Sequence, residues 1–300
     1  QAITGFQKEK FYTVDLDCGT FRISSGRFAS RTDAEKLRKL CVGKDATVKL
    51  AERQEKTEKP PKLYDLTTLQ REANRIYGYT AQQTLDYIQL LYEKKLATYP
   101  RTDSRYLTED MAEHLPALCR LVAAAFPFAS GFDGRVEAVQ VVCNAKVSDH
   151  HAIIPTKEAA KANLEELPTG ERNILSLIAV RLLCAVCPEK HIYADTAVVC
   201  ICADAEFMAK GHTEIAAGWK GLEKAFQAAL KSRPEDEKAQ PLLPEFSEGQ
   251  AVAVKEAALH EGTTSPPPRY TEDSLLSAME NAGAEEFVQI EDAERRGLGT

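Results

Sequence analysis

The stretch L-A-T-Y-P-R-T-D-S-R-Y-L, residues 96–107, places a tyrosine, a proline, two arginines and an aspartate between residues 99 and 105. Pro100 lacks a backbone N–H and disfavours helical backbone at the residue before it. Tyr99 is therefore predicted on an extended segment or a turn that follows a helix. Arg101 comes two residues later, so both side chains project from one face of an extended chain. A phenol beside a guanidinium suits attack on a phosphodiester; the alternative is a packed tyrosine in a turn with solvated charges.

The composition is that of a folded chain with two or three domains. Its 300 residues are 44% hydrophobic with a formal net charge of −7, so any contacts with nucleic acid must be local or must rely on polar and backbone donors. No apolar run reaches the roughly 18 residues of a membrane helix. Eight scattered cysteines predict free thiols in a reducing compartment. The motif G-x-x-x-x-G-K-[ST] is absent, so nothing indicates use of a nucleoside triphosphate.

The first 60 residues read as strands with one short helix. Two alternating runs around Cys18-Gly19 predict a hairpin. Residues 32–41 predict a helix, and A-T-V-K-L-A-E-R-Q from residue 46 predicts a further strand. The charge-rich stretch at 52–62 predicts a crossing between domains.

The middle of the chain is predicted to be mostly helical. A helix at 68–77 ends at Gly78, and Thr80 with Gln83 forms a capping box for the helix that runs to about Lys95. Further helices are predicted from near Thr108 and at 171–187.

Strands return towards the end of the chain, at 192–203, 206–211 and 250–260. A polar linker at 233–238 separates them, and a Pro-rich loop then leads to a helix that opens at Thr271. The order β, α, β and a helical tail predicts an α+β multidomain fold, in which a mainly α-helical domain is inserted into a β-rich domain.

Two groups of side chains suggest metal sites, and each has a better explanation. C-x-x-C at 184–187 with C-x-C at 200–202 offers four thiols, the ligands that zinc prefers. The first pair, however, falls in an apolar helix and the second alternates along a strand, as core cysteines do. D-x-D at 15–17 could bind a divalent cation but fits the solvated face of a hairpin. We therefore predict no metal site in this sequence.

Three motifs in combination resemble the type IA DNA topoisomerases. They are Y-P-R-T-D-S at 99–104, H-H-A-I-I-P-T at 150–156 and P-P-P-R-Y-T-E-D-S-L at 266–275. L-Y-D-L-T-T-L-Q-R-E-A-N at 63–74 and R-R-G-L-G-T at 295–300 match in order and spacing as well. The proline after the tyrosine and the H-H-A-I-I-P-T form are most similar to the bacterial topoisomerase III branch.

The resemblance implies a role for each matched residue. Tyr99 is implied to be the nucleophile that opens one DNA strand through a 5′-phosphotyrosine link, which is resealed after strand passage without ATP. Arg101 is implied to hold the scissile phosphate, and His150 to contact the DNA backbone near the break. Asp103 and Ser104 are implied to order the tyrosine loop. The implied DNA contacts further comprise Gln89, Arg269, Thr271 and Ser274, while Tyr92 matches the helix before the tyrosine.

The resemblance also implies a gate architecture with four chain segments. Residues 1–60 and 191–262 would form the β-rich arch, 61–190 the inserted α-helical domain with the tyrosine, and 263–300 the truncated start of a helical DNA-binding domain. The family's Mg²⁺ is bound by an N-terminal Toprim domain, and this sequence matches the family only beyond that domain. We therefore expect a fragment without a metal of its own, unable to relax supercoils alone.

The expected partner is DNA, as single-stranded segments of a duplex. The parent enzyme is expected to be monomeric, without membrane contact, and to work in the cytoplasm at the bacterial nucleoid. Three other classes stay open: a non-catalytic single-stranded DNA-binding module in which Tyr99 stacks on a base, a tyrosine recombinase or nuclease, and a structural or docking protein. A covalent DNA adduct that survives denaturation separates a nucleophile from a binding module.

Overall fold

The computed structural model describes residues 3–230 and 243–282, and the chain divides into two compact units. Unit 1 comprises residues 1–58, 192–216 and 235–269, and unit 2 comprises 59–191, 217–234 and 270–300. Each unit is therefore built from segments that are distant in sequence. The polar stretch at 233–238 and R-R-G-L-G-T at 295–300 lie outside the described residues.

A seven-stranded sheet makes up most of unit 1. Its strands are β1 (Lys10–Asp17), β2 (Arg22–Ser25), β3 (Asp45–Glu58), β4 (His191–Cys202), β5 (Ala205–Ala216), β6 (Ala251–Ala253) and β7 (Glu256–Thr263). Their order across the sheet is β6-β3-β4-β5-β2-β1-β7. The hairpin predicted around Cys18-Gly19 is confirmed, since β1 and β2 pair antiparallel and Gly19 adopts a φ of 95° between them.

The core of unit 1 lies between the sheet and one helix. Val14 and Leu16 alternate with more exposed residues along β1 and are fully buried, as a strand with one covered face requires. Helix α1 (Arg31–Cys41) packs into the same hydrophobic cluster. It begins at Ser30, whose side chain accepts a hydrogen bond from the Asp33 backbone N–H at 3.3 Å.

Three strand predictions in unit 1 are wrong in extent. β5, predicted at 206–211, continues to Ala216. β3 continues to Glu58, into the charge-rich stretch at 52–62. The predicted crossing between domains still falls in that stretch, since unit 1 ends at residue 58 and unit 2 begins at 59. Nearly all of its residues beyond Ala51 are exposed, so the alternation that marks a half-buried strand is missing and only pairing with a neighbouring strand holds it extended. The run at 250–260 consists of two strands, β6 and β7, rather than one.

Unit 2 is helical. Its helices are α2 (Leu66–Tyr77), α3 (Ala81–Glu93), α4 (Leu115–Ala125), α5 (Thr169–Ala185), α6 (Lys220–Leu230) and α7 (Glu272–Glu280), with short 3₁₀ turns between some of them. Of the 17 residues of α5, 12 are buried. This helix therefore forms the centre of the unit, as its apolar sequence predicts.

Helix ends in unit 2 follow local sequence signals closely. Gly78 ends α2 with a φ of 70°, the left-handed conformation that glycine adopts at low cost. The Thr80 hydroxyl accepts from the Gln83 N–H at 3.1 Å, and the Gln83 side chain accepts from the Thr80 N–H at 3.0 Å. The predicted capping box is thus confirmed. α3 ends at Glu93, and Lys95, with a φ of 62°, turns the chain into the tyrosine stretch.

Two predictions for unit 2 need correction. A continuous helix from Thr108 is not formed: a 3₁₀ turn spans Glu109–Met111, and α4 begins only at Leu115 with Pro116 in its first turn. Proline is tolerated there because the first helical N–H groups have no partner in the helix. α6 was not predicted at all, although its burial of Leu222 and Phe226 follows the i, i+4 pattern of a helix face.

The observed division differs from the expected segments in two places. Residues 217–234 and 270–300 belong to unit 2, where the sequence predicted arch and a separate domain. α7 is held by α2, since the Arg71 guanidinium contacts Asp273 at 3.0 Å and Glu280 at 2.6 Å. Within residues 3–230 and 243–282, no helix is long and apolar enough to cross a membrane.

Candidate active site

The tyrosine stretch lies alongside the segment that carries the two histidines. The Thr98 N–H donates to the Ile154 carbonyl at 3.0 Å, and the Thr156 N–H donates to the Leu96 carbonyl at 3.0 Å. Ala97 and Pro155, between these bonds, form an antiparallel bridge. Two of the three motifs therefore pair directly and build one site in unit 2.

Tyr99 is half-buried at this junction. Its ring centroid lies 4.3 Å from that of the exposed His150, with a tilt of 45°. On α3, the Tyr92 ring meets it edge-on, with centroids 5.4 Å apart and planes at 80°. Within the described part of the chain, the Tyr99 hydroxyl makes no hydrogen bond. The ring is thus held by two aromatic neighbours, while its hydroxyl oxygen has no partner among the described residues.

The residues after Tyr99 alternate between solvent and interior. Arg101 and Asp103 are exposed, while Thr102 and Ser104 are buried, which fits the extended backbone predicted from Pro100. Arg101 has no ion pair or hydrogen bond to any residue in 3–230 or 243–282. A guanidinium that is accessible and without a protein partner can bind an anion such as a phosphate.

Asp103 and Ser104 each bond the segment that precedes the histidines. The Ser148 hydroxyl donates to the Asp103 carboxylate at 2.8 Å. The Ser104 hydroxyl donates to the Lys146 carbonyl at 2.8 Å and also contacts the Tyr106 carbonyl at 3.3 Å. Contacts of this kind order a loop.

The remaining matched residues make contacts of their own. Gln89, half-buried on α3, donates to the Glu93 carboxylate at 3.0 Å. Thr271 and Ser274 cap α7: the Ser274 N–H donates to the Thr271 hydroxyl at 3.2 Å and the Thr271 N–H to the Ser274 hydroxyl at 2.8 Å. Arg269 is exposed and belongs to unit 1.

An ion pair in the interior of unit 2 is connected to the histidine segment through Tyr64, and no pattern in the sequence predicts it. The Arg181 guanidinium of α5 donates to Glu72 at 2.6 Å and to the Tyr64 hydroxyl at 3.0 Å. Burial raises the pKa of Tyr64, so its phenol stays protonated. The Tyr64 carbonyl accepts the Ile153 N–H at 2.8 Å, which connects this ion pair to the histidine segment. The sequence around residues 64, 72 and 181 contains no motif or periodicity that predicts their contact.

The cysteines and aspartates considered as metal ligands lie in the hydrophobic cores of the two units and on the hairpin of β1 and β2. Cys184 lies in the core of unit 2, and Cys200 and Cys202 lie in the core of unit 1. Among residues 3–230 and 243–282, no three His, Cys, Asp or Glu side chains are placed to hold a metal ion. Asp17 accepts from the Gly19 N–H at 2.7 Å, and this bond, followed by the one from Arg22, lowers the pKa of its carboxyl.

The family model described as DNA topoisomerase matches residues 1–300. This chain belongs to the DNA topoisomerase family. It is 36% identical to the DNA topoisomerase 3 of Shouchella clausii strain KSM-K16, over an alignment that covers 100% of this chain and 42% of that protein. Against the DNA topoisomerase 3 of Bacillus subtilis strain 168 the identity is 37%, covering 88% of this chain and 37% of that protein. The resemblance to topoisomerase III of type IA is therefore confirmed.

The fold of this topoisomerase family member matches a solved structure of full-length topoisomerase I from Thermotoga maritima. The TM-score is 0.67 at 24% identity, with 94% of this chain and 45% of that chain covered. The predicted α+β fold class is confirmed by this likeness. The chain spans about two fifths of the length of the curated relatives that it matches.

Proposed function

We propose that this chain carries the DNA-cleaving tyrosine of a type IA topoisomerase. The Tyr99 oxygen attacks a backbone phosphorus of one DNA strand and forms a 5′-phosphotyrosine bond, while the 3′ oxygen of the neighbouring nucleotide leaves as a hydroxyl. After another strand has passed, that hydroxyl attacks the same phosphorus and releases the tyrosine. The reaction needs no ATP because the phosphotyrosine bond retains the energy of the phosphodiester.

The observation that carries this proposal is the surroundings of the Tyr99 hydroxyl. It has no hydrogen-bond partner in the described part of the chain. The guanidinium of Arg101, two residues later in the chain, is exposed and has no ion pair with any described residue. Arg101 would hold the scissile phosphate and stabilise the charge that develops on its oxygens. His150, in ring contact with Tyr99 at 4.3 Å, would contact the backbone near the break.

The other roles implied by the motifs are part of the same proposal. Asp103 and Ser104 would order the loop, as their bonds to residues 146 and 148 allow. DNA contacts are proposed for Gln89, Arg269, Thr271 and Ser274. Unit 1 would act as the arch and unit 2 as the tyrosine domain.

Magnesium is expected with a Toprim domain rather than with these residues. The described parts of this chain hold no cluster of three metal-ligating side chains, so the proposal assigns no step to the ion. The partner would be DNA in single-stranded segments, the parent enzyme would be monomeric, and the site of action would be the bacterial nucleoid in the cytoplasm.

The experiment combines this chain, the Toprim domain of a DNA topoisomerase 3 and Mg²⁺ with a single strand labelled at its 3′ end. A 5′-phosphotyrosine keeps the 3′ fragment, so denaturing electrophoresis should show label on the protein. A 5′-labelled strand should yield only a shorter free fragment. We expect the adduct from the native chain and none from Tyr99→Phe. The chain alone should not relax supercoiled DNA.

The matched control is Tyr92→Phe, which removes the neighbouring hydroxyl and keeps the ring. We expect its adduct to form, because Tyr92 contacts Tyr99 only edge-on with its ring. An adduct that survives Tyr99→Phe would refute the assignment. Relaxation by the chain alone would refute only the expectation that cleavage and resealing need the Toprim domain.

A second candidate, a single-stranded DNA-binding module, is favoured by one observation. Tyr92, Tyr99 and His150 form a row of rings at or near the surface, and bases stack on such rings. This reading predicts binding without a covalent adduct. It also predicts that binding survives Tyr99→Phe and weakens in Tyr99→Ala.

A further inference from the structure

A threonine lies on each side of the Tyr99-Pro100-Arg101 segment, and each bonds the histidine segment with its hydroxyl. Thr98 is the first. Its hydroxyl donates to the Ala152 carbonyl at 3.1 Å and accepts the Ile154 N–H at 2.9 Å. The Thr98 hydroxyl therefore both donates a hydrogen bond to the histidine segment and accepts one from it.

Thr102 makes the corresponding bonds on the other side. Its hydroxyl donates to the His150 carbonyl at 2.8 Å and accepts the Ser104 N–H at 3.1 Å. Its own carbonyl accepts the Leu66 N–H at 3.1 Å. Only 8% of this residue is exposed, so water cannot easily replace these partners.

The side chains between the two threonines make ring and packing contacts but no hydrogen bond in the described part of the chain: the Tyr99 ring contacts those of Tyr92 and His150, and Pro100 is buried. Pro100 has no N–H to donate, Arg101 is exposed, and Tyr99 is half-buried with a free hydroxyl in the described part of the chain. Burial alone therefore does not define where the Tyr99 oxygen and the Arg101 guanidinium lie. The hydroxyl bonds to the carbonyls of His150 and Ala152 add to the backbone pairing at Ala97 and Pro155 and set the spacing between the tyrosine stretch and the histidine.

We propose that Thr98 and Thr102 are positioning residues of the cleavage reaction. Their hydroxyls clamp the tyrosine stretch to the histidine segment and so hold Tyr99, Arg101 and His150 in the arrangement that receives the scissile phosphate. Neither threonine touches DNA in this role. The role rests on the proposed function of Tyr99, and it needs a geometry held to within roughly 0.5 Å, as reacting groups generally do.

The test uses valine, which has the shape of threonine without the hydroxyl, and serine, which keeps the hydroxyl. Thr98→Val and Thr102→Val should each slow single-turnover adduct formation roughly tenfold, since a lost hydrogen bond with a buried unpaired group costs about that factor. Affinity for the single strand, measured without cleavage on a Tyr99→Phe background, should stay within about twofold. Thr98→Ser and Thr102→Ser should restore most of the rate.

The matched control is Thr84→Val, in which the same change is made at a buried threonine of unit 2. Thr84 is fully buried on α3, and its hydroxyl donates to the Thr80 carbonyl at 3.0 Å. Melting temperatures of all variants are measured first, and rates are compared well below them. If Thr84→Val lowers the melting temperature as much as Thr102→Val but leaves the rate unchanged, the effect at Thr102 is positional rather than a loss of stability.

Three results would overturn the role of the threonines: valine variants that cleave at the native rate, valine variants that lose affinity as much as rate, or serine variants that fail to recover. Failure of the proposed function looks different. In that case the native chain with Toprim and Mg²⁺ forms no adduct, or the Tyr99→Phe variant forms one.

Discussion

Replacing Arg181 with methionine removes a cation from the interior of unit 2. The side chains of Arg181 and Glu72 are only 14% and 15% exposed, and their charged groups are 2.6 Å apart. Removing one partner of a buried pair costs about 3–5 kcal/mol, because the other charge stays buried without compensation. Arg75 also contacts Glu72, at 2.5 Å, and offsets part of this loss. We therefore expect a destabilisation near the lower limit, about 3 kcal/mol.

The two arginines on Glu72 provide their own control. Arg75→Met removes the outer arginine, whose side chain is 57% exposed, and exposed ion pairs contribute only about 0.2–1 kcal/mol. Thermal unfolding followed by circular dichroism or calorimetry separates the two cases. In a domain of 150–250 residues 1 kcal/mol corresponds to about 2–4 °C. The melting temperature should fall by about 6–12 °C in Arg181→Met and by no more than about 4 °C in Arg75→Met.

Equal losses in the two variants would refute this reasoning, since burial is the difference between them. An increase in stability would refute it as well. It would show that the desolvation of Arg181 and Glu72 costs more than their attraction returns, so that an apolar side chain fits the site better.

Two further predictions concern stability. Gly218→Ala should lower the free energy of unfolding in urea by at least about 2 kcal/mol, because Gly218 has a φ of +52° and a Cβ there would lie 2.2 Å from the Lys190 carbonyl oxygen. The control Gly221→Ala, whose Cβ would meet nothing closer than 3.9 Å, should change it by no more than about 0.5 kcal/mol. A similar loss in both variants would contradict this reasoning. Burial raises the pKa of the Cys119 thiol to about 12. The contribution of the buried, protonated thiol to the free energy of unfolding is therefore complete below about pH 9, and it is lost as the pH rises from about 9 towards 12, because the thiol ionises in the unfolded chain first. Urea unfolding at pH 8, 9.5 and 10.5 should show a shallower alkaline decline in Cys119→Ala than in the native chain, and identical slopes would count against this cause.

Local backbone chemistry made a large part of the tyrosine site predictable. Pro100 disfavours helical backbone at Tyr99, and Gly78 together with the Thr80–Gln83 capping box defines where the preceding helices end and begin. Such features depend on residues a few positions apart, so they can be read directly from the chain. The motifs at 99–104, 150–156 and 266–275 indicated the family for the same reason, since each is a short local pattern.

Errors in the fold came from segments whose structure depends on distant partners. β3 beyond Ala51 has two exposed faces and no alternation, yet it remains a strand because of its neighbour in the sheet. α6 forms where Leu222 and Phe226 join the core of unit 2. Neither partner is close in sequence, so the propensity of the segment itself was a poor guide.

The sequence by itself determined the family, the extended tyrosine stretch and the candidate nucleophile, because each follows from residue types at short spacing. The tertiary structure alone decided that the His150 ring lies 4.3 Å from Tyr99 and that Arg181 supports the site through Tyr64. It also revealed that Thr98 and Thr102 bond the histidine segment. The physical reason is that a hydrogen bond or ion pair between segments far apart in the chain requires only compatible groups on each side, and compatible groups leave no periodic pattern in either segment.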